Sequence, residues 1–557
     1  MQMRLRLLPL AMLAFVPIVL GQTIPGAGTQ IQQLPAPPVP QPAPPKIRIE
    51  ESTSTPLAGA ASVSVLVTEL RITGAHAYPV SELVAIARFT PGEQLTLDQL
   101  QVMASRITAH YRKHGYFVAR AYLPAQDISN HVVSIAVIEG TYGKVSLHNH
   151  SNLSDGLALG LLGGLDSGDA IVLKPLESRL LLLSDVPGVK ISSTLVPGLL
   201  PGSTDLIVDV APGRRVTGLV DVDNAGNPYT GEIRVGATVN LNDLAGHGDV
   251  LSLRAVTSGS GLRYARASYQ MMFGRATAGV AYSRLEYQLG KQFKLLGANG
   301  TAEIASVYGS MPLRRSRDTN IYVGLSYEDK RFDDRIDLFP ADGRIARAGV
   351  ASVSLYGNHI DGFGGGGTSA FLVSLSAGSL DIQTPAALAA DAMGARSNGH
   401  YEKLLFHVSR AQHITDSLSL YAGFTGQLAS RNLDPSEKFV LGGMDGIRAY
   451  PQGEGFGDQG YLLDVEARLR LSALSARVPG DVHLLGFVDA GRVTINKQPW
   501  YAGPNDRSLS AAGVGLSWAD PGNFALRTYY AVKLGNGEAT SAPDRSGRFW
   551  IQAIKYF

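Results

Sequence analysis

The chain has 557 residues, 45% apolar and 17% charged, with a formal net charge of +2, 63 glycines, 30 prolines and no cysteine. That length exceeds one ordinary domain and the apolar fraction excludes wholesale disorder, while the charge balance gives no electrostatic case for a nucleic-acid partner. The lack of cysteine excludes disulfide scaffolds, thiolate metal sites and cysteine nucleophiles, and low charge with abundant glycine and 22 tyrosines points to a β-protein in an unusual solvent.

Arg4 and Arg6 precede an apolar run over 7–20 that Pro9 and Pro17 interrupt, and Val19 and Gly21 stand where a signal peptidase reads. The run is too short and too broken to span a bilayer, so residues 1–21 read as a secretory signal and the mature chain as exported. Residues 22–34 follow, and 29–34 have the length for about one and a half helical turns, marginal alone in water. Pro35, Pro37, Pro38, Pro40, Pro42, Pro44 and Pro45 then set an extended polyproline spacer, and 35–64 read as a proline-rich linker.

Residues 65–72 are rich in β-branched side chains and end at Gly74, and 79–87 read as a short helix. Thr96 opens a longer helix, with Leu97, Leu100, Met103, Ile107 and Tyr111 at helical spacing and Gly115 closing it. Strands are expected over 116–123 and 131–138, on either side of Pro124 and Asn130. The order strand, helix, helix, strand, strand makes a small α/β module of 65–139. A weaker copy fills 140–213, with a strand around Val145, a leucine-rich helix over 176–183 and strands over 189–195 and 206–210. The glycine-rich stretch 160–168 lacks a phosphate-binding pattern and reads as a turn.

Beyond about Arg215 the helical period disappears. Ile233, Val235, Ala237, Val239 and Leu241 alternate with Glu232, Arg234, Gly236, Thr238 and Asn240. Leu463, Val465, Ala467, Leu469 and Leu471 alternate with Asp464, Glu466, Arg468 and Arg470. The chain is exported, its strands are about ten residues long, and no helices are available to cover the dry faces. A transmembrane β-barrel over 214–557 satisfies all three, because closure alone leaves no unpaired edge in lipid. About sixteen antiparallel strands fit, at about 21 residues per strand and connection. The last run ends on Phe557, a C-terminal barrel signal of the kind bacterial outer-membrane barrels carry; Lys555 shares its face and is expected to point at lipid.

Three motifs stand in order along this barrel. Asp223-Asn224-Ala225-Gly226 is followed by Thr230-Gly231; the connection 431–459 contains Ile447-Arg448-Ala449-Tyr450; and the strand 482–493 contains Phe487-Val488-Asp489-Ala490-Gly491. With a short N-terminal helix, a linker and two POTRA-like modules, they make a chain that resembles the two-partner secretion transporters, which export filamentous haemagglutinins, haemolysins and related large exoproteins. The resemblance makes the first motif the opening barrel hairpin, the second the Val-Arg-Gly-Tyr/Phe tip of the sixth extracellular loop, and the third a Phe-x-Asp-x-Gly barrel-wall motif on a late strand. Ile447 and Ala449 depart from the tip pattern. Alternation puts Asp489 on the face of His483, Leu485 and Phe487, opposite Val482, Leu484 and Val488, and therefore toward the lumen. A loop folded back into the lumen sets Arg448 against Asp489, where a planar guanidinium suits a carboxylate and Lys does not. At ~4 Å the gross attraction is about 4 kcal/mol at an effective dielectric near 20. In a wet lumen the net is expected below ~1 kcal/mol, enough for a latch on loop position.

The resemblance implies an outer-membrane translocator whose modules stand in the periplasm. They would capture an unfolded adhesin- or haemolysin-like exoprotein, adding its extended segment to an exposed strand edge, with 22–34 as a short plug helix at rest. Its other implied partners are outer-membrane lipid and the barrel assembly machinery for its own insertion. No Gly-x4-Gly-Lys-Ser/Thr motif offers a nucleotide engine; a client folding outside gains roughly 0.05–0.15 kcal/mol per residue instead. An assembly factor that inserts other barrels is the alternative, though two modules with a helix and linker favour the secretor; a passive porin leaves the modules unexplained. No His-Glu-x-x-His or Gly-x-Ser-x-Gly appears, and no enzyme, metal or cofactor is expected. Asp464 and Glu466 with Arg468 and Arg470 read as a solvated lumen wall, and 364–367 as a flexible loop.

Overall fold

The computed structural model describes residues 24–34, 46–49, 64–128 and 130–557. The signal reading of 1–21 lies outside the described residues, as does most of the linker reading of 35–64. The short helix is Ala27–Gln32 (α1).

In the first module, Glu69–Thr73 runs parallel to Val132–Ile138, which pairs antiparallel with Arg120–Tyr122 on its other side. A separate ladder joins Ser64–Val67 to Glu93–Thr96. Helices Val80–Ala87 and Leu97–Lys113 cover the sheet. The longer one starts where Thr96 and Gln99 cap each other, Gln99 N–H on Thr96 Oγ1 at 3.3 Å and Thr96 N–H on Gln99 Oε1 at 2.8 Å. Leu100, Met103, Ile107 and Tyr111 are buried on its inner face. The strand expected over 116–123 shortens to Arg120–Tyr122, because Tyr116 and Ala119 donate their N–H groups to Tyr111 and Tyr116 carbonyls in a turn.

The second module holds strands Thr141–Asn149, Val189–Pro197 and Ser203–Pro212 under helices Asp155–Leu162 and Leu173–Ser184. Asp155–Leu162 corrects the sequence reading, which gave Gly160 to a turn. Ser154 caps this helix by accepting from Leu157 N–H at 3.4 Å, and Ala158, Leu161 and Leu162 bury its inner face; the turn starts only at Gly163. The linker reading is corrected as well: Lys46–Ile49 adds a fourth strand, parallel to Val189–Pro197. This module is bolted to the barrel. Asp185 accepts a two-pronged Arg315 contact at 2.6 and 2.8 Å, Glu177 pairs with Arg317 at 2.9 Å, and Ser154 N–H bonds Gly246 O at 2.9 Å.

Sixteen antiparallel strands, from Val216–Asp223 to Gly547–Tyr556, close the barrel. The closing ladder runs from Leu219 opposite Tyr556 to Asp223 opposite Gln552. Leu463, Val465, Leu469, Leu484 and Val488 are exposed on the outer wall, while Leu485, Phe487 and Asp489 are buried inside it. Val482 departs from the alternation: it is buried, and its N–H bonds Ser475 in the short helix Ser472–Ser475 at the periplasmic end of its strand. The stretch 364–367 forms a tight turn, with Gly364, Gly365 and Gly366 at positive φ. Phe557 bonds Gly218 through both its N–H and its C=O at 3.1 Å, and its ring lies over Gly218, where a Cβ would meet it at 2.5 Å. Lys555 does face outward, at the periplasmic end, with Nζ on Asn523 Oδ1 of the last turn; the charge sits at the rim of the hydrocarbon layer.

Candidate functional site in the barrel lumen

The long connection between strands Leu418–Ala429 and Gln459–Arg470 folds back into the barrel. Its tip turns at Ile447, whose carbonyl accepts Tyr450 N–H at 3.0 Å, while Ile447 N–H bonds Leu441 O at 2.8 Å. Neither Arg448 nor Ala449 needs a positive φ, so the turn forms without the glycine of the family pattern. Ile447, Ala449 and Tyr450 are fully buried.

The Arg448 guanidinium is held by two carboxylates and lies over two rings, those of Phe487 and, at 5.0 Å, Tyr529. Its Nε and Nη2 reach Asp489 at 3.0 and 2.5 Å, its Nη1 reaches Glu466 at 2.6 Å, and its guanidinium carbon lies 3.4 Å from the Phe487 ring centre. Arg448 N–H also donates to Asp489 at 3.0 Å, and Trp550 Nε1–H donates to Arg448 O at 2.6 Å. Gly491 makes room beneath the tip: a Cβ there would stand 2.8 Å from Leu441 Cδ2 and 3.3 Å from Ile447 Cδ1. Tyr450 O–H donates to Gly537 O at 2.9 Å, tying the tip to the last extracellular loop. Two expectations are corrected here. Arg448 is 4% exposed and Asp489 0%, so the weak value expected for a wet pair does not apply; removing one partner of a buried pair costs about 3–5 kcal/mol. Glu466 is not a solvated wall residue either: it is 7% exposed and bridges Arg448 to Arg468, 2.6 Å from each.

The motif residues do not work alone. Glu454, fully buried, accepts from Thr540 and Ser541 through backbone N–H and hydroxyl groups at 2.6–3.0 Å and pairs with Arg507 at 2.6 Å. Glu437 sits between Lys330 and Lys403, each at 2.7 Å. Asp458, also fully buried, holds Lys438 Nζ at 2.6 Å and Lys497 N–H at 2.8 Å. Acidic residues at these loop positions are visible in the sequence; which cation each meets is set by the fold.

α1 lies in the lumen beside this loop. Ala27 N–H donates to Asp334 at 2.7 Å, Thr230 Oγ1–H to Gln30 Oε1 at 3.1 Å, and Arg234 Nη1–H to Gln33 O at 2.7 Å. Gly28 packs on the loop so closely that a Cβ would come 2.8 Å from Ser436 Cβ. The opening hairpin serves both neighbours: Asp223 accepts from Ala225 N–H at 2.8 Å and Arg234 Nε at 2.9 Å, Thr230 reaches α1, and Ala225 packs with Ile447 and Ala449 in one apolar cluster. Gly226 lets the hairpin close, since a Cβ would strike Gly231 O at 2.0 Å.

The pattern described as haemolysin secretion/activation protein ShlB/FhaC/HecB matches residues 202–518. The chain belongs to this family. The pattern of the ShlB-type POTRA domain matches 65–140. The heme/hemopexin transporter protein HuxB of Haemophilus influenzae is 29% identical over 482 residues, covering 86% of this chain and 84% of the relative. The outer membrane transporter CdiB of Dickeya dadantii is 24% identical over 431 residues, 72% of this chain and 71% of the relative. Two solved structures share the fold. CdiB from Escherichia coli has a TM-score of 0.66 at 19% identity, covering 91% of this chain and 93% of that one. BamA from Haemophilus ducreyi lacking POTRA domains 1–3 has a TM-score of 0.54 at 14% identity, covering 88% and 100%. The family member described here is a two-partner secretion transporter of the outer membrane, with POTRA domains on the periplasmic side and a large secreted exoprotein as its partner.

Proposed function

We propose that the structure is the transporter at rest, with the loop carrying Ile447, Arg448, Ala449 and Tyr450 and the plug helix α1 closing the lumen together. Arg448, clamped on Asp489 and Glu466 and stacked on Phe487, sets the docked position of the loop. That buried contact carries the reading, because a charge removed from water with all its partners in place specifies one loop position. The segment 1–21 directs export, the barrel assembly machinery inserts the chain into outer-membrane lipid, and the periplasmic modules take up the unfolded client by backbone pairing. The protein is a conduit rather than a catalyst, and client folding outside the cell biases transport outward.

The experiment compares cell-surface, supernatant and outer-membrane proteins with and without the chain. Loss of one large exoprotein with other barrels intact is expected. A general fall in barrel proteins overturns the reading and makes the chain an assembly factor.

A further inference from the structure

Four neighbouring barrel strands, Thr319–Ile336, Arg344–Asp361, Gly367–Ile382 and Gly399–His413, change character together on the outer wall toward the extracellular rim. Side chains two apart share a face of a strand. Toward the rim, the first strand turns Leu325, Tyr327, Asp329 and Arg331 outward, and the second Val353, Ala351, Gly349 and Arg347. The third turns out Leu375, Ala377, Ser379 and Asp381, and the fourth Leu404, Glu402 and His400. The ladders set these series side by side. Val353 lies between Leu325 and Leu375, Ala351 between Tyr327 and Ala377, Gly349 between Asp329 and Ser379, and Arg347 between Arg331 and Asp381. Ala377 stands opposite Glu402, and Ser379 opposite His400. Where the aliphatic belt ends and the charges begin, the two middle strands thus carry only small side chains. The wall is hollowed there into an open groove of about 730 Å³, flanked by Tyr327 on one side and by His400 and Glu402 on the other. The phenol oxygen of Tyr327 lies 2.9 Å from where a Cβ on Gly349 would stand, so any side chain at 349 would displace the ring.

The two flanks differ in charge. Arg347 holds Asp329 through Nε at 2.8 Å and Nη2 at 2.7 Å, and Arg331 stands 3.8 Å from the same carboxylate. Two guanidiniums on one carboxylate leave a net positive charge, and their side chains stay 52% and 63% exposed. Across the groove, the Glu402 carboxylate has no partner among the described residues. We propose that the groove binds one outer-leaflet lipid of the phosphorylated glycolipid class. Its phosphate meets Arg331 and Arg347, whose planar forks suit phosphate oxygens. Its sugar lies in the groove beside Tyr327, an aromatic at the boundary of the apolar band, and donates hydroxyls to Glu402. Its acyl chains run along Leu325, Val353 and Leu375. A glycerophospholipid brings the phosphate without the sugar ring that fills the groove. Binding needs only the barrel's place in the outer membrane, and holds whether or not the loop and α1 close the lumen.

The test uses the purified full-length protein, washed free of lipid in detergent. A bis-phosphorylated disaccharide glycolipid or phosphatidylglycerol is added in equal amount, and native mass spectrometry counts the lipids held per chain. The wild type is expected to hold a single glycolipid and roughly tenfold less phosphatidylglycerol. Arg331→Gln with Arg347→Gln removes the partners of the phosphate, and Ala351→Trp fills the groove from an exposed, outward-facing position. Each is expected to bind roughly fivefold less glycolipid, or weaker still, while keeping the gel mobility of a folded barrel. Val514→Trp, also exposed but on the strand Asp506–Asp520, is expected to bind like the wild type. A wild type that holds no glycolipid, or as much phosphatidylglycerol, overturns the proposal. So does unchanged binding by the double variant or by Ala351→Trp, or an equal loss in Val514→Trp.

Discussion

Arg448→Ala removes the guanidinium and leaves Asp489 and Glu466 facing each other in a site from which water is excluded. Stripping one partner from a buried ion pair costs about 3–5 kcal/mol; at 1.4 kcal/mol per decade the docked loop loses about a hundred- to several-thousandfold of its advantage. The stack on Phe487 goes as well. The barrel does not depend on this side chain, because Arg448 lies in a loop and the sixteen ladders close without it. The variant is therefore expected to reach the outer membrane in normal amount and keep the altered gel mobility of a folded barrel when unheated, yet release at least tenfold less exoprotein. Arg448→Lys keeps the charge without the two-pronged geometry and is expected to fall between. Secretion by Arg448→Ala at half the wild-type level or more, from a folded barrel, refutes the reasoning.

Gly28→Val presses a branched side chain into Ser436, at a point where even a Cβ stands 2.8 Å away. Overpacking of about 1–3 kcal/mol should unseat α1 and raise the open fraction of the purified protein in planar bilayers several-fold or more, with insertion unchanged. Glu454→Gln loses the charge paired with Arg507 and weakens the grip on Thr540 and Ser541; limited proteolysis of intact cells should cut the last extracellular loop markedly faster. In the first module, burial, and after it the neighbouring His114, hold the His110 imidazole below its usual 6.5, with Lys113 adding to the shift and Glu82 opposing it. The folded state thus prefers neutral His110, and its contribution is present above about pH 6.5 and lost as pH falls through the lowered folded value. Amide exchange of Leu97–Lys113 in the full-length protein, corrected for intrinsic rates, should quicken between about pH 7 and 5, and His110→Gln should flatten that response.

Local chemistry made most of the fold legible. The alternation around Leu463 and Val465 gives the outer wall directly, since each of these residues is exposed while Glu466, next after Val465, is buried and faces in. Thr96 and Gln99 announce the start of Leu97–Lys113, because a capping box needs only residues three apart. Two elements escaped for the same physical reason. Asp155–Leu162 carries Gly156 and Gly160, whose low helix propensity masks a face that burial of Ala158, Leu161 and Leu162 sustains. Lys46–Ile49 follows a proline run and is a strand because an edge 140 or more residues away accepts it. Neither is decided by its own sequence.

The site divides along the same line. Resemblance places Arg448 near Asp489, and alternation turns Asp489 inward, but a pair energy reckoned for a wet lumen is too small for this site. The loop itself supplies the dryness: Ile447, Ala449 and Tyr450 pack with Leu485, Trp550 and Ala225 around the ion pair. The latch is therefore strong only while the loop it holds is in place. Lifting the tip would let water reach Arg448 and Asp489, collapse the pair toward the sub-kcal value of exposed contacts, and free the charges to rehydrate. Glu454, buried in the same loop, is held by the last extracellular loop, which Tyr450 also reaches. Loosening one anchor thus weakens the next. The geometry favours a loop that is either docked or released, with few stable positions between, which suits a channel that must stay shut until a client has engaged it.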